Sequence, residues 1–206
     1  MAITPRKRPG KLTRAQKLEK TRKALIAAAV EIIGEEGYQA CSVSKIAARA
    51  KVGQGTFYTY FSSRQELFDQ LLPEVGGELR NFIRERTRGF TKLLEFEEQS
   101  FDTFLEFLYR MPGYPRVFSE AETAAPDAFS KHMGAGHAEY VRALGRAMAQ
   151  GEMPGYSPDE LEVLASIFIA LRSFVGPRYL LKRERRLPSN IRKTYLKFLA
   201  HGIRGK

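Results

Sequence analysis

Residues 42–61 read SVSKIAARAKVGQGTFYTYF, and this stretch decides the fold. Val43, Ile46, Ala47 and Ala50 recur at helical spacing, which predicts a short amphipathic helix. Ser42 stands where it caps that helix. Lys51-Val52-Gly53 leaves room only for a tight turn, and Gln54 to Tyr60 reads as a second short helix. Its phase sends Phe57 and Phe61 to one side and Gln54, Tyr58 and Thr59 to another. Two short helices, a tight turn and a buried apolar seam make a helix-turn-helix. In such a unit the second helix lies in the DNA major groove and the first crosses the backbone.

The run I-A-x-x-A-x-V-x-x-G-T-F-Y-x-Y-F, here Ile46 to Phe61, resembles the tetracycline-repressor (TetR) family, as does Ser-Ser-Arg-Gln-Glu-Leu at 62–67. The resemblance covers roughly residues 19–79; beyond it, only length and helix pattern are compatible. Two positions depart from the family pattern: Lys51 stands where Gly is frequent, and Gly53 where Ser is frequent. A Lys held in a left-handed turn costs about 1 kcal/mol, whereas Gly caps a helix nearly as well as Ser.

Within the motif, Gln54, Thr59 and Tyr60 are the candidates to face base edges. Gln bonds adenine bidentately, and a Thr methyl contacts thymine. Thr56 and Tyr58 carry hydroxyls suited to phosphate oxygens. Ser44 and Lys45 open the first motif helix, where backbone amides also face an anion. Ser63-x-x-Glu66 predicts a capping box opening the next helix. Arg64 in its first turn opposes the helix dipole, so DNA phosphate is its natural counter-charge. The resemblance implies DNA contact at these matching positions. Phe57 belongs to the core, and Tyr60 has packing as its rival role.

Charge supports the motif. The chain has 206 residues and a net charge of +11, of which residues 1–64 carry +9, residues 65–177 carry −7 and residues 178–206 carry +9. A basic third that coincides with a helix-turn-helix is the footprint of a phosphate-binding surface. The single cysteine, Cys41, excludes an internal disulfide and any zinc constellation. His132 and His137 lie five apart, on different helix faces, so no metal site is expected. No nucleophile–base pair or cofactor fingerprint is present, so no enzyme and no cofactor are expected. No signal peptide or membrane-length apolar run appears, and a soluble cytoplasmic protein is the expectation.

Working outward, residues 1–13 read as a basic disordered arm, whose Arg6, Lys7, Arg8 and Lys11 either reach phosphates and a minor groove or attract DNA non-specifically. Residues 14–70 form the predicted DNA-binding domain and 71–206 a helical effector-binding and dimerisation domain. The first helix is predicted from Arg14 to Glu36, ended by Gly37. The helix after Ser63 is expected to bend or break at Pro73 and Gly76-Gly77. Further helices are predicted at 99–110, 115–123, 126–150, 158–182 and 190–203. No strand pattern or repeat appears, so the predicted fold is all-α.

The helix from Leu161 to Leu181 is apolar nearly all round. Burying it calls for a partner chain, through Ile167, Phe168, Leu171, Phe174 and Val175, joined by Tyr195, Phe198 and Leu199 of the last helix. The resemblance implies the same homodimeric four-helix arrangement. The middle of the chain is aromatic. Phe104, Met111, Phe118, Phe129 and Met133 are candidates for a mostly apolar effector pocket, with Glu122 or Arg172 to meet a ligand's charge. The predicted function is a homodimeric transcriptional regulator, a repressor released from a palindromic operator by a lipophilic small molecule. The rival readings are an effector-free architectural DNA-binding protein and a small-molecule-binding helical protein.

Overall fold

The computed structural model describes residues 13–180 and 189–205, and among these every regular element is helical. The basic residues of the amino-terminal arm lie outside the described residues, as does the expected helix end near Lys182. Helix α1 spans Arg14–Glu36 behind a capping box, in which Thr13 accepts from the Gln16 amide and the Gln16 side chain accepts from the Thr13 amide. Gly37 ends it at φ 90°, a left-handed value that a side chain would resist. Helix α2 spans Val43–Arg49, with the Ser42 hydroxyl accepting from the Lys45 amide as expected. Lys51 then takes φ 59°, the one non-glycine residue with positive φ among the described residues.

Helix α3 is shorter than expected, Gln54–Phe57. Thr59 and Tyr60 bond back three residues rather than four, to Thr56 and Phe57, which tightens the chain into a turn. That turn brings Phe61 back inside, fully buried 5.6 Å from Phe57.

Helix α4 runs unbroken from Arg64 to Arg86, so the break expected at Pro73 and Gly76-Gly77 does not occur. An interior proline costs about 3 kcal/mol. Here Leu67, Phe68, Leu71, Leu72, Val75, Leu79 and Ile83 are all buried along one helix. Each such side chain contributes roughly 1.5–3 kcal/mol, so their sum outweighs the proline. Gly76 has a packing reason: a Cβ there would lie 2.0 Å from Nδ1 of His132 on a later helix. The expected capping box is half formed. Ser63 accepts from the Glu66 amide, but the Glu66 carboxylate reaches one residue further, to the amide and hydroxyl of Ser62.

Helix α5 spans Leu93–Arg110, six residues longer at its start than predicted. No local side chain caps it; the Leu93 amide donates to the Glu152 carboxylate at 2.9 Å, a partner far along the chain. Helices α6 (Tyr114–Ala124), α7 (Pro126–Ala149), α8 (Leu161–Leu180, after a short 3-10 turn at Pro158–Glu160) and α9 (Ser189–Gly202) complete the order.

Two cores result. The first joins α1–α4 to Phe104, Phe107 and Leu108 of α5 and to Tyr114, Val117 and Ala121 of α6. The second joins Phe101 and Leu105 on another side of α5 to α7, α8 and α9. Residues 70 and 71 fall inside continuous α4, whose buried residues belong to the first core along its length. The helix-turn-helix and the carboxy-terminal helices are therefore joined through one continuous helix.

Candidate functional site

The helix-turn-helix presents a polar face over an apolar seam. Phe57 and Phe61 are buried, while Gln54, Tyr58 and Thr59 point outward, Tyr58 with 56% of its surface exposed. Ser44, Lys45 and Arg64 are also exposed. Thr56 and Tyr60 are half-buried, and Tyr60 packs against the first core. Thr59 returns its hydroxyl to the Gly55 carbonyl at 3.3 Å, which leaves the methyl as its outward feature. Arg64 lies over the Phe68 ring, 5.4 Å from its centroid. Lys45 is already paired with Glu36 at 2.5 Å, and Arg49 with Glu31 and Glu35 at 3.1 and 2.8 Å. A phosphate recruiting Lys45 has to compete with Glu36. Cys41 is buried with its thiol pushed up to about 12, chiefly by burial, so it stays a protonated packing group.

The effector candidates do not converge on one pocket. Phe104 is buried in the first core, and Met111, Phe118 and Phe129 pack against that same core. Met133 packs against the second core, and Glu122 is exposed on α6. Arg172 alone of the set lines a cavity of about 320 Å³ among α4, α5, α7 and α8. The aromatic and Met members stood at helical spacing, and helix packing consumed them; Glu122 faces solvent instead.

The cavity is strongly cationic. Arg80 and Arg84 of α4, Arg142 and Arg146 of α7 and Arg172 of α8 line it, against one carboxylate, Glu139. Its apolar surface comes from Ile83, Phe96, Tyr140 and Ala143. Glu139 accepts from Arg84 at 2.8 Å and lies 3.9 Å from Arg80. Arg172 was singled out from the sequence, but Arg80, Arg84, Arg142 and Arg146 were missed, because the five belong to three helices and meet only in the fold. Arg80, Arg84 and the pair Arg142 and Arg146 do recur at i, i+4, a visible but common signal.

Next to the cavity, His132 joins three helices. Arg80 of α4 can only donate, so Nδ1 of His132 accepts at 3.3 Å. Nε2 then carries the proton and donates to the Tyr114 hydroxyl of α6, also at 3.3 Å. Burial, followed by Arg80 and Arg172, pushes the imidazole down to about 4, so it is neutral near pH 7. Helix α6 in turn grips the end of α1. Arg116 donates to the Glu35 carbonyl at 3.0 Å, and Glu120 accepts from the Tyr38 amide at 2.9 Å. Gly34 and Gly113 meet backbone to backbone there: a Cβ on Gly34 would lie 2.5 Å from the Gly113 Cα.

The residues expected at a dimer interface divide. Phe168, Tyr195 and Leu199 are buried inside the chain, with Tyr195 stacked on Phe101 at 4.1 Å, so they cannot face a partner. Leu171 and Val175 are half-buried. Val163, Ile167 and Phe174 stand 62%, 44% and 68% exposed on α8, and Phe198 is 59% exposed on α9. Spacing alone could not separate these sets, because both faces of α8 are apolar.

A short helix with exposed polar side chains, seated on a second by a left-handed turn, defines the class: a helix-turn-helix DNA-binding protein. Residues 25–71 match the family model of the bacterial regulatory proteins, tetR family. The matched segment runs from α1 through the helix-turn-helix into α4, so this part of the chain is similar to the DNA-binding segment of that family. It is 29% identical over 136 residues to an uncharacterized HTH-type transcriptional regulator of Haemophilus influenzae, covering 62% of this chain and 66% of that one, just under two thirds of its length. FadR of Bacillus subtilis, solved in complex with stearoyl-CoA, shares the fold at TM-score 0.76 and 18% identity, over 87% of this chain and 98% of its own. FadR of Bacillus halodurans, a fatty acid degradation regulator, gives 0.72 at 21% identity over 97% and 100%. A TetR family transcription regulator of Marinobacter aquaeolei gives 0.71 at 19% over 92% and 97%. Among the described residues no helix is long and apolar enough to cross a membrane.

Proposed function

We propose that this chain is a homodimeric repressor, acting in the cytoplasm on a palindromic operator and released by an anionic, lipophilic effector. The observation that carries this reading is the cavity: five arginines against one glutamate, with an apolar wall, on helices that include α4. An effector-free architectural protein has no use for such a site. Those arginines favour a negative charge where the sequence left the charge open, and the stearoyl-CoA bound to Bacillus subtilis FadR supports the lipophilic part.

In this reading residues 14–70 bind DNA and 71–206 bind the effector and the second subunit. Gln54 and the Thr59 methyl read bases, with Tyr60 at the edge of that surface. Thr56, Tyr58, Ser44, Lys45 and Arg64 hold phosphates. The exposed stripe of Val163, Ile167 and Phe174, with Phe198, is the surface each subunit turns to its mate.

Coupling follows from the ion pairs. An anion entering the cavity competes with Glu139 for Arg84 and Arg80, the arginines of the helix that leads into the helix-turn-helix. Moving α4 re-aims α3 relative to its mate, and two recognition helices out of register cannot occupy successive major grooves. Linkage requires that DNA weaken effector binding by the same factor. The test is calorimetric titration of medium- and long-chain acyl-CoA thioesters into free and operator-bound protein. Weaker binding to the DNA-bound form is expected; equal affinity in both forms contradicts a switch.

A further inference from the structure

The arginine cavity has two tiers. Arg84, Arg142 and Arg146 are exposed at its mouth, whereas Arg80 and Arg172 are half-buried further in. Arg84 and Arg80 have Glu139 and, for Arg80, His132. Arg142, Arg146 and Arg172 have no carboxylate within ion-pair distance among the described residues. For the two exposed arginines, water suffices. For Arg172 it does not: its Nε is sealed from solvent and without a hydrogen-bond partner, and its guanidinium lies between the rings of Tyr140 and Phe104 at 5.1 and 5.4 Å.

Behind the cavity wall, other buried polar groups also lack partners. Glu97 of α5 is wholly buried; one carboxyl oxygen has no partner and the other is 3.4 Å from the Tyr140 hydroxyl. Ser100, one turn along the same helix, and Tyr195 of α9 also bury hydroxyls without a partner. A buried polar atom left unpaired is costly, and more so if charged. Of these groups only Arg172 lines the cavity, and a ligand with a purely apolar inner end would leave it without a counter-charge. It would also remove what water Arg172 still sees.

We propose that the effector is a two-ended anion. One anionic group sits at the mouth among Arg84, Arg142 and Arg146, and a second, a carboxylate, is received at the inner end by Arg172. Ile83, Phe96 and Ala143 cover the short apolar spacer between them. The inference rests on the cavity being the effector site, but it narrows the ligand to an amphiphile acidic at both ends. Arg172 becomes the residue that sets specificity for the inner group.

The test uses two probes that differ at one end, octyl phosphate and 8-phosphonooxyoctanoate, titrated calorimetrically into the full-length protein. The wild type is expected to bind the second more tightly by about tenfold or more, the size of one charge-assisted hydrogen-bonded pair. Arg172→Met should abolish that preference while keeping octyl phosphate affinity, and Arg142→Gln should weaken both probes alike. The wild-type comparison needs no variant to fold. Equal binding of the two probes, or tighter binding of octyl phosphate, overturns the two-ended ligand and leaves the cavity as an anion site. Binding of neither overturns both readings.

Discussion

Glu97 is a carboxyl with no access to water, 3.4 Å from a tyrosine hydroxyl. Burial pushes it up to about 7 from an ordinary value of 4.5, against the lowering influence of Arg172. The folded state therefore holds its proton more tightly than the unfolded state. That contribution to stability is complete below pH 4.5 and is lost as pH rises towards 7. Glu97→Gln keeps the shape and removes the titration. The melting temperature of the wild type, measured relative to that variant, should fall across this window and level off above it; a constant difference would mean that Glu97 is ionised throughout. None of this was legible in the sequence, where Glu97 is one acid in an acidic run. Lys51 was legible: the motif placed a turn there, and φ 59° is the left-handed value expected.

Among the elements, α4 shows how tertiary packing overrides a local signal. Pro73 and two glycines predicted a break, yet burial along the helix keeps it whole, and Gly76 serves the close approach of His132. Gly76→Ala improves helix propensity by about 1 kcal/mol. It also forces the His132 ring out of its contact with Arg80 and Tyr114, and overpacking of that kind costs about 1–3 kcal/mol. A net loss in denaturant midpoint is expected, and an unchanged or higher midpoint would show that the ring moves without cost. Helix α5 illustrates the opposite failure, since its start is capped by Glu152, which no local pattern could supply. For α8 the sequence showed an excess of apolar surface but not its direction. Phe174 is exposed on the single chain, so Phe174→Glu should leave the melting profile of the monomer intact and shift sedimentation from dimer to monomer. A variant that stays dimeric would move the interface elsewhere.

For the whole molecule, the all-α architecture and the helix-turn-helix were readable because both rest on local periodicity and one dense motif. The cavity was not, because arginines from α4, α7 and α8 meet only in three dimensions. The recognition face is the common ground of the two. Replacing Arg64 or Tyr58 should weaken binding to all sequences alike and lower the salt slope by about one per lost phosphate contact. Replacing Gln54 should instead change which sequences are preferred. The most direct measurement is sequencing of the genomic fragments retained by the wild type and by Gln54→Ala, at matched salt. The account predicts that wild-type fragments share an inverted repeat whose half-sites lie a whole number of helical turns apart, and that Gln54→Ala alters the preferred base within each half-site. Fragments with no common repeat, or an identical preference in the variant, would contradict it.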